Sequence, residues 1–431
     1  MTQRLLKWLD QSPCSFLAVN TIETELKNAG FSFLDERDKW NLEMGGKYYV
    51  KKNGSAIFAF MLPDNFQPGE SAVNIISAHS DSPCFYLKPN CEIYGEGGLV
   101  SLNVEKYGGG ILYTWFDRPL SLSGRVFLKG EKGYRHFNIK RPIATIPHLA
   151  IHFNRKVNEG NSLSVQKDMK PVIGIFEKDK IEEAKAQGGF IKKLISDEFG
   201  INPGDIIDFE GILSPAEEAA LCGYSNEFIQ SARIDDLSMA FAGLEAMLEV
   251  NGQSFNCVRM LAIFDNEETG SGTKQGAASP VLKNIIERII ANFGGEREEF
   301  FRTVARTFMI SADDAHAWHP NYSEKYDPTN HPVIGGGPVI KINSNCKYMT
   351  DSVGAAIFKE LCVKSGVSYQ MFVNHSDVAG GSTLGNILTS QIDLKGVDVG
   401  SAIWAMHSAQ ETAGVTDHLD MVKVFKTYWS E

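Results

Sequence analysis

No stretch of the 431-residue sequence approaches the run of roughly 18 apolar residues that a membrane-spanning helix needs. No CxxC pair occurs among the seven cysteines (Cys14, Cys84, Cys91, Cys222, Cys257, Cys346 and Cys362), so neither a zinc ribbon nor a thioredoxin-like site is suggested. Their odd number and wide scatter read as reduced, mostly buried thiols of a cytosolic protein. Positive charge is in short supply: 42 Lys and Arg stand against 53 Asp and Glu, for a net charge of −11. Such a chain would be repelled by nucleic acid and by an anionic membrane surface, and no basic run with interleaved aromatics offsets this. The opening MTQRLLKWLDQSPCSF carries charges inside an apolar stretch too short for a signal sequence, so a cytoplasmic location is expected. No repeat, low-complexity segment or long linker is evident.

What is present is ordinary for a globular protein: 43% hydrophobic and 22% charged residues, on a length with room for two or three domains. Leu5, Leu6 and Leu9 recur at helical spacing, and a second helix is predicted over 16–29, ended by Gly30. Asn53-Gly54 between GKYYVKK and SAIFAFM predicts a hairpin. VNIISA reads as a buried parallel strand. From about 89 to 220 glycine clusters separate short apolar segments, with one charged helical stretch over 178–199. The α/β alternation resumes after 225, with a helix from Asp236, strands in VRMLAIFD and TFMISAD, and a helix over 280–293. A β-rich block between two α/β blocks predicts a discontinuous α/β domain, 1–88 and 225–431, with a mixed central sheet and an inserted β-rich domain at 89–224.

Several apolar runs end in acids or histidines: VNIISA at His79-Ser80-Asp81, MLAIF at Asp265-Asn266-Glu267-Glu268, FMISA at Asp313-Asp314, and SAIWAM at His407, while Ala232-Arg233-Ile234 leads into Asp235-Asp236. Ligands of open α/β sheets bind at the carboxyl ends of strands. Each residue has a plainer explanation. His79 could be a hydrogen-bonded structural histidine, Asp235-Asp236 a helix cap, and Glu267-Glu268 a solvated pair. Five such coincidences at strand ends are harder to dismiss. Clustered carboxylates repel one another unless cations neutralise them. His79, Asp235, Glu268, Asp313 and His407 supply two imidazoles and three carboxylates, donors that zinc accepts and that would also suit manganese or cobalt. One zinc does not need five protein ligands, so two metals sharing a carboxylate is the economical reading.

The stretches AHSDSP (78–83), YGGGILYTWFDRPLSLSGRV (107–126), IPHLAIH (146–152), ARIDD (232–236), FDNEETGSGTKQGA (264–277), SADDAHAWHPNY (311–322), GGPVIKIN (336–343) and AMHSAQETAG (405–414) resemble the M18 family of metallopeptidases, the aspartyl aminopeptidase and aminopeptidase I group. They run in the family's order across nearly the whole chain. The resemblance implies a zinc-peptidase-like fold and two divalent cations per subunit. It implies that Asp235 bridges them, with His79 and Asp313 completing one site and Glu268 and His407 the other. Glu267 would be the general base acting on a water bridged by the metals, and Asp81 the acid that orients His79. His152, in the insert, would reach a neighbouring subunit's site and stabilise the oxyanion; otherwise it is a strand residue. The insert would then serve dimerisation, with dimers assembling into a tetrahedral dodecamer.

Peptides with a free N-terminus are the implied substrates. Lys341 matches a position suited to an acidic first residue, and Asp377, in VNHSDVAGGSTLG (373–385), matches an acidic position near the substrate. His375 departs from the eukaryotic aspartyl pattern, so an acidic preference and a neutral or broad one both remain open. Two other classes compete: a carboxypeptidase or deacylase on the same scaffold, and a catalytically inactive scaffold protein. The full set of ligands and the base weigh against the last.

Overall fold

The uninterrupted apolar stretch at Val73–His79 forms a strand with nearly every residue buried, as expected where a sheet is covered on both faces. It runs parallel to Val258–Phe264 on one side and to Phe308–Ala312 on the other, at the centre of a nine-stranded mixed sheet. Beyond Phe308–Ala312 lie Lys395–Gly400, parallel, and Val339–Ile342, antiparallel. The predicted hairpin is Lys47–Lys52 and Ala56–Met61, turned by Asn53 and Gly54, both with positive φ. The helices Thr2–Gln11 and Ser15–Asn28 pack on one side through Leu5, Trp8, Leu9 and Ile22, against the buried helix Ile234–Glu249.

The computed structural model describes residues 1–160 and 162–431. They divide into two compact units, one of 1–81, 219–406 and 411–431, the other of 82–218 and 407–410. The first holds the nine-stranded sheet and a five-stranded sheet ordered Ala220–Cys222, Phe228–Ser231, Glu411–Gly414, Ala402–Trp404, Ala315–His316. The second is built on a six-stranded antiparallel sheet whose core includes Phe85, Trp115, Phe137 and Ile195. The helix expected over 178–199 is broken into Lys178–Ala186 and Phe190–Phe199. Gly188 and Gly189 adopt φ of 90° and 105°, which a helix cannot contain. Among the described residues no helix is long and apolar enough to cross a membrane.

Candidate metal centre

Two of the expected ligands come from neighbouring parallel strands. His79 ends Val73–His79, and Asp313 directly follows Phe308–Ala312. Val258–Phe264 ends beside His79, after which left-handed Asn266 (φ 62°) turns the chain into the short helical turn Glu267–Thr269. Asp235 arrives differently. It follows Phe228–Ser231 of the five-stranded sheet and stands in the first turn of Ile234–Glu249, after the left-handed Arg233 (φ 63°). Asp235 thus comes from the turn between a strand of the five-stranded sheet and the regular helix, and not from the carboxyl edge of the central sheet.

His79, Asp235, Asp236 and Asp313 are all buried, and each offers a ligand atom within 4.8 Å of the others. Asp235 also has an oxygen within 4.8 Å of one from half-buried Glu268. His79 presents Nε2 to Asp235 Oδ1 at 3.4 Å. Its Nδ1 lies 3.0 Å from the Asp81 carbonyl oxygen and 3.4 Å from Asp81 Oδ1. With Nδ1–H donated to Asp81, the Nε2 lone pair is left for a ligand.

Asp81 has a second task that spacing did not suggest. Its Oδ1 and Oδ2 accept the backbone N–H groups of Glu267 and Glu268, each at 3.1 Å. Asp81 thus holds the imidazole chiefly through its backbone carbonyl and, through its carboxylate, the turn that carries the paired glutamates. Asp236, which sequence alone allowed as a helix cap, accepts the His79 N–H through Oδ2 at 3.0 Å, while its buried Oδ1 has no hydrogen-bond partner. The Asp235 N–H is donated to Glu411 Oε2 at 3.0 Å. Ser238 Oγ donates to Asp314 Oδ2 at 2.7 Å. Lys341, on Val339–Ile342, is 3% exposed, with Nζ 3.5 Å from Asp313 Oδ1.

Burial raises the pKa of Asp236 well above the usual carboxylate range, and the neighbouring acids add to it against the pull of His79. Asp314 is raised for the same reason, desolvation first. Glu267 is pushed up to about 8, mainly by desolvation and then by the charges of Asp313, Glu268 and Asp235. Burial alone would lower His79, but Asp236, Asp235 and Asp81 outweigh it and raise it well above its ordinary value. So many acids cannot all ionise in one desolvated space unless positive charge enters with them. Lys341 supplies one such charge. The remaining carboxylates and an imidazole whose Nε2 faces Asp235 fit divalent cations, and mixed nitrogen and oxygen donors suit zinc.

His407 follows Ala402–Trp404 in a left-handed conformation (φ 68°) and belongs with the second unit. There its carbonyl accepts the Ile111 N–H at 2.9 Å, and Ala409 N–H donates to Thr114 Oγ1 at 2.8 Å. A Cβ on Gly109 would lie 3.3 Å from His407 Nδ1, so a larger residue there would press on this imidazole. His152 lies in an exposed turn after the last strand residues of its segment, not in a strand. Asp377 is exposed in the loop after Gln370–Val373, its N–H donated to His375 Nδ1 at 3.2 Å. Sequence reasoning did not find Glu411 or the place of Asp236 in the cluster. The one available signal was their closeness in sequence to His407 and Asp235.

A family model described as Aminopeptidase I zinc metalloprotease (M18) matches residues 8–429. A Clostridium acetobutylicum protein named "Probable M18 family aminopeptidase 2" is 45% identical over 432 residues, covering 99% of this chain and 98% of its own. Among solved structures, a chain of the cryo-EM structure of the Ape4 and Nbr1 complex superposes with a TM-score of 0.95 at 35% identity, covering 100% of this chain and 85% of that one. The Saccharomyces cerevisiae mApe1 dodecamer gives a TM-score of 0.86 at 25% identity, over 100% of this chain and 96% of that one. The mixed α/β fold described above is the fold of these aminopeptidase structures.

Proposed function

Because the chain belongs to the M18 aminopeptidase family of zinc metalloproteases, we propose that it removes the N-terminal residue of peptides at a site for two divalent cations, zinc first, with cobalt or manganese as alternatives. The observation that carries this is the buried group of His79, Asp235, Asp236 and Asp313, drawn within 4.8 Å. Asp235 is the shared ligand in this reading, with His79 and Asp313 on one side and Glu268 and His407 on the other. Bound cations would polarise the scissile carbonyl and make water more acidic. Glu267 takes the proton from the attacking water and passes it to the leaving amine. In support, Asp81 fixes its backbone and burial gives it a raised proton affinity, which nearby cations would draw back down. An acidic cluster also suits a substrate that arrives with a free, positively charged α-amino group, which confines cleavage to the first peptide bond.

His152 serves a neighbouring subunit in this reading, stabilising the oxyanion within a homo-oligomer of dimers assembled into a tetrahedral dodecamer. The dodecameric state of mApe1 and the exposed turn around His152 support it. Seven free cysteines suit a cytoplasmic enzyme. The first-residue preference turns on Lys341. Selectivity for Asp and Glu over Leu and Lys would mean that Lys341 reads the substrate side chain, while indifference would mean that its charge is spent on Asp313. Asp377 is the proposed second contact near the substrate.

Dialysis against a strong chelator tests the core of the proposal. Peptide hydrolysis should disappear and return on adding zinc, cobalt or manganese. Hydrolysis that survives complete metal removal sinks the two-cation reading.

A further inference from the structure

Asp235 and Asp236 lie in the span Ile234–Glu249, but their backbone angles (φ −77°, ψ 108° and φ −119°, ψ 20°) are not helical, so the regular helix begins only after them. Arg233, just before, donates Nε to the Ser12 carbonyl at 3.0 Å. Asp236 turns Oδ2 to the His79 N–H. The Asp235 N–H is held from elsewhere in the chain: Glu411 Oε2 accepts it at 3.0 Å.

Glu411 is well placed to do this reproducibly. It starts the strand Glu411–Gly414 and pairs with Ser231, from which the chain runs through Ala232 and Arg233 into Asp235. Donor and acceptor therefore hang from the same pair of hydrogen-bonded strands. The side chain is 1% exposed, so it is enclosed and has little room to choose another position.

We infer that Glu411 is a positioning residue that holds the backbone from which Asp235 delivers its carboxylate to the metal site. This rests on the reading of Asp235 as a metal ligand. What matters is an acceptor at the right reach, more than a negative charge in the neighbourhood. Partners that orient ligands typically change metal affinity by about 10–100-fold when lost.

Zinc affinity, measured by competition with a chromophoric chelator on the full-length protein, tests this in three variants, with metal-free thermal unfolding as a check on folding. Glu411→Gln keeps a carbonyl acceptor at the same reach and should stay within about threefold of the parent, whereas Glu411→Asp keeps the charge but falls a methylene short and should weaken zinc by about 10–100-fold. Equal loss in both variants, or full affinity in Glu411→Asp, overturns the inference. So does a Glu411→Gln protein that loses zinc while Glu411→Asp keeps it, since charge would then be the cause. Asp235→Asn separates the two levels. If it binds zinc as well as the parent does, the ligand reading itself fails, whatever the Glu411 variants show.

Discussion

The two units treat their singled-out residues in opposite ways. In the first, the polar groups are buried and answered from within the same unit: Asp81 holds the Glu267 and Glu268 amides, Glu411 holds the Asp235 amide, and Ser238 holds Asp314. In the second, His152 sits on an exposed turn flanked by Leu149, Ile151 and Phe153, which are 56%, 54% and 80% exposed. Three large apolar side chains within five residues are seldom left in water, and such a patch usually marks an interface. The comparison sets residues held from within their own unit against a histidine on an exposed apolar turn, for which a role towards a second copy is proposed.

The largest effect should come from the self-contained side. Glu267→Gln keeps the shape but cannot take a proton, so turnover should fall by about 10²–10⁴-fold, with metal content by elemental analysis unchanged. Near-normal turnover would show that the base is elsewhere. Next comes the insert. His152→Ala should lower turnover by about 10²-fold, as loss of one oxyanion donor does. Co-assembling His152→Ala with Glu267→Gln subunits should restore activity above either parent, because each supplies what the other lacks. Mixtures no more active than their parents would return His152 to its own chain and end the contrast between the units.

Asp81→Asn leaves one oxygen where two amide N–H groups are now received, and a loss in turnover of about 10–100-fold is expected. An unchanged rate would mean that the turn at Glu267 holds without it. The smallest effect concerns stability. His418 is buried in the first unit, and desolvation lowers its pKa to about 4 from the ordinary 6.5. The unfolded chain therefore takes up this proton first as the pH falls. Its contribution is complete above about pH 6.5 and is lost toward pH 4, amounting to about 2 kcal/mol by pH 5. His418→Gln should flatten that part of the urea-midpoint profile between pH 7.5 and 5; parallel profiles would show that the site is not desolvated in solution.

Much of the fold was legible because local rules and tertiary structure agree. The Asn53-Gly54 hairpin, the paired N-terminal helices and the strand ending at His79 all follow from periodicity and turn residues. The helical stretch at 178–199 was misread because its charged, helix-favouring composition hid the two glycines that break it. At the site, Asp235 was found for a partly mistaken reason, since it stands at a helix start and not at the edge of the central sheet. Asp236 looked like a cap because an acid in a first turn usually is one. Only the left-handed turn at Arg233 and the nearby His79 amide gave it another partner.

The sequence by itself determined which residue types could gather and in what order. Acids and histidines that end apolar segments must be carried to the ends of buried elements, because an apolar run fixes where its polar neighbours emerge. It could not determine who answers whom. That Glu411 holds the Asp235 amide, that Asp81 holds two glutamate amides and that Lys341 is enclosed beside Asp313 depend on side chains from distant segments meeting over about 3 Å. Spacing along a chain carries no such information. Hydrogen-bond partnership across 176 residues, as between Asp235 and Glu411, is decided only when two strands pair and bring their neighbours together.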